Sequence, residues 1–312
     1  MPTITADQVK VPADVSPEAR DLYIDNYMAA TRGTGRLMLF ACDQKIEHLN
    51  DDFFGEGISA DDNDPEHMFK IGSQGVIGIL AGQRGLIAAY AADYPEINYL
   101  VKMNSKTHLV KTSQEDPYSP LLYDLDAVLE LRENGVNVVG VGYTIYLASE
   151  YESQMMAEAG RLIAEAHAEG LIVVLWMYPR GQAVADEKSA HLIAGAAGTA
   201  LCLGADFVKV NPPKGDETGS SADKLKEAAA ASGRTGLVCA GGSNVDAETF
   251  LTHLWEQIHV GGAVGNATGR NLHQRDLDEA VRLTKAISSI TLADADPASA
   301  LAVFEGREDF SL

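Results

Sequence analysis

Eight short apolar runs recur along the chain, at 37–43, 75–81, 99–104, 136–143, 171–178, 205–211, 236–241 and 262–269. Each has the length of a strand, and near-continuous apolar character predicts strands covered on both faces, as in a parallel sheet. Between most of them the hydrophobic period becomes that of a helix. In 148–170, Met155, Ala159, Leu162, Ile163 and Ala166 share one face ahead of a closing glycine. The segments 188–204 and 246–260 behave alike, the latter opening on Asp246 as an N-cap. Eight strand–helix units in about 240 residues predict an α/β fold of the (β/α)8 TIM-barrel class. The alternative, a doubly wound sheet, needs a glycine-rich first turn, and the run from Asp43 through Gln44, Lys45, Ile46 and Glu47 to His48 contains no glycine.

Outside these units, 17–33 reads as a helix that covers the barrel bottom or packs on a neighbouring subunit. The tail 294–312 carries another short helix. The expected organisation is a single domain: an N-terminal extension over 1–36, the barrel over 37–290 and a tail over 291–312. Two connections are long, the acidic 49–63 and the polar 106–120. Both follow strands, which puts them over the mouth at the C-terminal ends of the strands, where barrel enzymes carry their chemistry.

Charge narrows the partners. With 45 acidic against 24 basic residues the net charge is −21, which argues against nucleic acid and anionic membrane. Cys42, Cys202 and Cys239 form no paired spacing, and an odd count reads as reduced thiols. The first residues lack a basic start and an apolar stretch, and no apolar run reaches the length of a membrane span. The expectation is a cytoplasmic protein.

Against this background Lys209 stands out, a cation inside Phe207, Val208, Val210 and the flanking apolar run. Burying an ammonium without a partner drives its pKa down, and a neutral amine is the nucleophile that forms a Schiff base with a carbonyl. The bland reading is a strand-end lysine whose head reaches water. Lys102, between Val101 and Met103, is the rival nucleophile. Polar residues near the strand ends are otherwise few: Asp43, Asn104, Tyr143, Trp176, Tyr178 and Asn211. Strand alternation puts Lys102 with Asn104, Trp176 with Tyr178, and Lys209 with Asn211 on common faces, all three pairs expected to point inward. After the last two strands come Gly241-Gly242-Ser243 and Gly269-Arg270, turns whose backbone N–H groups and arginine suit a phosphate. A phosphate cup beside a buried lysine and a tyrosine fits carbonyl chemistry on a sugar phosphate. Two other classes stay open: a metal-dependent aldolase drawing on Glu47, His48, His67 and His108, and a non-catalytic sugar-phosphate binder.

Taken together, Asp43 closing the first strand, the run Trp176 to Gly181, Val208-Lys209, Gly241-Gly242-Ser243 and Gly269-Arg270-Asn271 resemble the archaeal-type class I fructose-1,6-bisphosphate aldolases. The resemblance covers about 37–277 and implies a Schiff-base barrel enzyme that needs no cofactor and no metal. It assigns Lys209 as the imine-forming lysine, Tyr178 as acid/base and Asp43 as an assistant. Trp176, Lys102 and Asn211 would line the substrate site, with Gly241, Gly242, Ser243, Gly269 and Arg270 holding a phosphate. It implies a phosphorylated ketose as partner and a homo-oligomer. Two departures bear on substrate: Gln44 and Lys45 where the family commonly has histidine and glycine, and Asn211-Pro212-Pro213 where a tyrosine- or threonine-bearing turn is expected.

Overall fold

The computed structural model describes residues 2–111, 115–242 and 245–312. Eight parallel strands close into one barrel in chain order: β1 Leu37–Ala41, β2 Ile79–Gln83, β3 Tyr99–Lys102, β4 Val138–Leu147, β5 Ile172–Pro179, β6 Phe207–Val210, β7 Gly236–Ala240 and β8 Gly265–Thr268. Pairing of Leu37 with Gly265 and of Phe40 with Thr268 seals β1 to β8. All eight apolar runs become strands, with shifted ends. The second run begins as a connection, because Gly75 ends the helix Glu66–Gln74 and pairing with β1 starts only at Ile79. In the eighth, Gly262 takes a φ of +82° and completes a turn before β8 begins.

Alternation along the strands divides the core. Leu37, Leu39, Ala41, Ile79, Ala81, Leu100, Ile172, Val174, Trp176, Phe207 and Val238 fill the barrel interior, while Met38, Phe40, Val101, Tyr143, Val173 and Val208 face the outer helices. The helices Glu152–Ala168, Ala190–Leu203 and Ala247–His259 lie inside the ranges expected from periodicity, and the Asp246 side chain caps the last by accepting from Thr249 N at 2.9 Å. The expected tail helix is Pro297–Phe304, preceded by the longer Leu277–Ala293.

Arg20–Ala30 is the N-terminal helix, and it packs against β4 and β5 and closes the barrel bottom. Its Tyr23 hydroxyl donates to Asp206, and its Asn26 donates to Gly170 O at 2.7 Å. His167 lies between Asp206 (3.2 Å) and Asp14 (2.9 Å). Burial opposes charge on that imidazole, yet the hydrogen bonds and charges of the two aspartates outweigh it and lift its pKa to about 9. With this network across the bottom, the interior opens toward the other end of the strands. Among the described residues, no helix is long and apolar enough to cross a membrane.

Candidate active site

At that open end lies a cavity of about 140 Å³, into which the last inward residues of β1, β5, β6, β7 and β8 project. Asp43, Trp176, Tyr178, Lys209, Asn211, Gly241, Gly242, Gly269 and Arg270 all line it. These residues are dispersed over 228 positions of sequence (43 to 270 inclusive), and the barrel brings them together because Trp176, Tyr178 and Lys209 lie on β5 and β6 while the others follow the C-terminal ends of β1, β6, β7 and β8. Ser243 lies outside the described residues.

Lys209 is 5% exposed, and its Nζ sits 5.2 Å from the centre of the Trp176 ring. Among the described residues it makes no hydrogen bond and no ion pair. Burial lowers its pKa to about 8, with the Lys102 and Arg270 charges adding to the effect against the opposing pull of Asp43 and Glu47. A sizeable fraction of this amine is therefore neutral near pH 7.5. Lys102 has a different setting beneath the cavity. Its Nζ donates to Thr144 Oγ1 at 2.6 Å and lies 3.7 Å from Asp43 Oδ2. Burial lowers its pKa too, but its head group is bonded and is absent from the cavity wall, so of the two lysines it is Lys209 that faces the cavity.

Trp176 separates the two ammonium groups from the barrel core, its ring centre also 5.0 Å from Lys102 Nζ. Gly142 on β4 makes room for it, since a Cβ there would stand 2.5 Å from the indole. Trp176 Nε1 and Asp43 Oδ1 are buried without a hydrogen-bond partner among the described residues, a donor and an acceptor directed to the site rather than to the fold. Tyr178 is partly exposed. Burial of its hydroxyl, with the nearby charges of Asp43 and Glu47, holds its pKa well above the usual phenol value, so the hydroxyl is protonated at neutral pH. Across the cavity Gly242 turns with a φ of +71°, a left-handed conformation that favours glycine, and leaves backbone beside Arg270 for an anion. Arg270 Nε lies 3.8 Å from Asp52 Oδ2, on an oxygen that His48 Nδ1 also contacts.

Two of the polar residues noted in the sequence go elsewhere. Asn104 lies beyond the end of β3 and ties the following loop down, donating to Ser119 O at 2.7 Å and Thr144 O at 2.8 Å. Tyr143 points outward to Glu158 Oε2 at 2.8 Å, because its neighbour Thr144 holds the inward register on β4. Of the histidines weighed as metal ligands, His48 and His108 sit together with ring centres 5.6 Å apart, but each is held by its own partners, His48 by Asp52 and His108 by Glu47 O and Asp51, while His67 bonds Arg275 O. Among the described residues no group of three or more His, Cys, Asp or Glu is placed to share an ion.

The chain and its closed eight-stranded barrel are similar to known proteins. Residues 37–275 match the DeoC/LacD family aldolases along most of the chain. The chain belongs to that family. A solved fructose-bisphosphate aldolase from Slackia heliotrinireducens is 72% identical and superposes with a TM-score of 0.99 over 100% of this chain and 98% of its own. A relative from Methanocaldococcus jannaschii, named fructose-bisphosphate aldolase/6-deoxy-5-ketofructose 1-phosphate synthase, is 56% identical over 96% of this chain and 95% of its own length. A solved Schiff-base-forming fructose-1,6-bisphosphate aldolase, 28% identical, gives a TM-score of 0.74 over 86% of this chain and 99% of its own.

For a DeoC/LacD family aldolase, two wall residues and a third that contacts both of them carry more than the sequence alone disclosed. Glu47 lines the cavity, although it was weighed only as a metal ligand. The helical turn Gln44–Glu47 carries it there, four residues beyond Asp43, and i, i+4 spacing on a helical turn is the signal that pairs the two carboxylates. Arg180 also lines it, its guanidinium 5.6 Å from the Tyr178 ring and 5.8 Å from that of Tyr146. Tyr146, buried on β4, donates its hydroxyl to Glu47 Oε1 at 2.9 Å. Arg180 is visible in the sequence only as part of a motif, and nothing short of the register between β4 and β5 pairs Tyr146 with Tyr178.

Proposed function

We propose that this chain is a class I aldolase that cleaves fructose 1,6-bisphosphate reversibly to dihydroxyacetone phosphate and glyceraldehyde 3-phosphate. The observation that carries the reading is Lys209, an unpaired amine of depressed basicity in the wall of a cavity that also holds Gly242 and Arg270. The Lys209 amine adds to the C2 ketone, and the carbinolamine loses water, assisted by Asp43, to give an iminium. The C3–C4 bond then breaks, its electron pair moving to the iminium nitrogen as the C4 hydroxyl gives up its proton at Tyr178. Glyceraldehyde 3-phosphate departs. The remaining enamine is protonated at C3, and water releases dihydroxyacetone phosphate. Trp176 and Asn211 line the substrate, with Lys102 beneath, a like charge that helps keep Lys209 neutral. One phosphate sits on the turns of Gly241, Gly242, Gly269 and Arg270. The other meets Arg180, at the far wall, with Lys106 nearby above the Tyr146 ring.

Sodium borohydride added to the protein with dihydroxyacetone phosphate tests the chemistry: reduction leaves a glycerol-phosphate adduct, and peptide mass assigns it to Lys209. An adduct on Lys102 overturns the site, and no adduct with phosphate binding retained overturns the mechanism. Replacing Arg180 by alanine removes a charged hydrogen-bond donor worth about 1.5–3 kcal/mol, so KM for the bisphosphate rises roughly 10- to 100-fold. Trapping with dihydroxyacetone phosphate, which has one phosphate, is unaffected in this variant, and loss of trapping would move Arg180 to the other cup.

A second reading concerns the aldehyde. The relative 56% identical over 96% of this chain also bears the name of a 6-deoxy-5-ketofructose 1-phosphate synthase. Cut between C3 and C4, that product gives dihydroxyacetone phosphate and the three-carbon ketoaldehyde methylglyoxal, so the same enamine serves both reactions. Condensation of methylglyoxal with dihydroxyacetone phosphate, followed by mass spectrometry, decides whether this chain shares it. The resemblance further supports a homo-oligomer, and light scattering on the purified protein reads the assembly.

A further inference from the structure

Resting on the aldolase reading, we propose that Glu47 is the terminal base of bond cleavage, taking up the proton that leaves the C4 hydroxyl by way of Tyr178. The balance of protons requires such a group. A protonated phenol can accept the hydroxyl proton only as it releases its own, so a second acceptor has to stand in the same cavity. Two carboxylates do, Asp43 and Glu47, and their surroundings differ. Asp43 faces Lys102 at 3.7 Å, on the floor beside the amine that forms the imine. Glu47 is on the wall with Tyr178. Tyr146 fixes its Oε1 at 2.9 Å, and Oε2 makes no hydrogen bond among the described residues.

The ring of Tyr146 in turn lies 6.4 Å from that of Tyr178, so the residue that orients Glu47 packs beside the one that meets the substrate. Several cations surround this carboxylate. Lys102 on β3, Lys106 in the following loop, Arg180 after β5 and Lys209 on β6 all sense its charge, and His108 holds its backbone oxygen from the loop after β3. Tyr178 and Glu47 both line this cavity of about 140 Å³, close enough that the Glu47 charge is among those that raise the Tyr178 pKa. During cleavage the O4–H bond breaks as the aldehyde C=O forms, Tyr178 passes one proton to Glu47 Oε2, and the C3–C4 electron pair goes to the iminium nitrogen. Protonation of the enamine at C3 returns the proton and restores the carboxylate.

Glu47→Gln isolates the basicity, because the amide oxygen still accepts from Tyr146. Borohydride trapping of dihydroxyacetone phosphate on Lys209 is expected at the wild-type level, while kcat for cleavage falls about 10²- to 10⁴-fold. Glu47→Asp keeps a carboxylate and should recover part of the lost rate, which a purely structural role does not predict. A kcat within threefold of wild type in Glu47→Gln overturns the proposal. So does loss of trapping in that variant, which would move Glu47 to imine formation. Failure of wild-type protein to trap is a different result, and it strikes the aldolase reading itself.

Discussion

Replacing Lys209 with methionine should abolish cleavage, with a loss in kcat on the order of 10⁴-fold or more, while the barrel stays folded. Removal of a covalent nucleophile has effects of that size because every later step depends on the bond it makes. Methionine suits the site physically. It is close to lysine in length, it fills the space beside Trp176, and it removes a charge that burial disfavours, so thermal stability should hold or rise. Circular dichroism and a melting curve check the fold, and the coupled assay checks turnover. Turnover at the wild-type rate would end the Schiff-base mechanism. The same residue sets the pH dependence. The amine attacks only when neutral, and its pKa is about 8, so kcat/KM and the rate of borohydride trapping should climb with pH through that region and level off above it. A rise delayed to the ordinary lysine range near pH 10.5 would mean that the nucleophile is not held in this environment.

Lys209 was legible because a strand buried on both faces has no ordinary use for a cation, and the register of β6 fixes which face it takes. The barrel was legible for the same reason: eight apolar runs separated by helical periods leave few arrangements that bury them all. What the pattern could not carry were contacts between side chains far apart in sequence. Tyr146 reads as one more apolar strand residue, and only its distance from Glu47, 99 positions earlier, gives it a role. Asn104 failed in the opposite way. Alternation put it on the inward face, but β3 ends at Lys102, and beyond a strand's end alternation no longer governs where a side chain goes. The sequence favoured Lys209 over Lys102, whose run is nearly as apolar, and the hydrogen bond from Lys102 to Thr144 adds a structural reason for that choice. The bottom network of Tyr23, His167 and Asp206 was foreseen only as a covering helix, because its partners come from three separate segments.

Tyr178→Phe should leave imine formation intact and slow cleavage about 10²- to 10⁴-fold, the range that a positioned proton donor or acceptor contributes. The substitution removes one hydroxyl and keeps the ring that packs near Tyr146 and under the Arg180 guanidinium, so the cavity wall is preserved. Steps before and after the missing group should separate in the kinetics. Addition of Lys209 to the ketone and loss of water do not use the phenol, and borohydride trapping with dihydroxyacetone phosphate should proceed at the wild-type rate. Exchange of the C3 hydrogen of dihydroxyacetone phosphate with solvent does use it, in both directions, because forming the enamine removes that hydrogen and reversal returns it. Exchange measured by proton NMR should therefore fall with the cleavage rate. If exchange stays at the wild-type level while cleavage falls, Tyr178 serves only the C4 oxygen, and the C3 proton belongs to another group in the cavity. The two carboxylates there, Asp43 and Glu47, have different partners, and the trapping rate tells them apart, since loss of Asp43 is expected to slow the dehydration that precedes the imine.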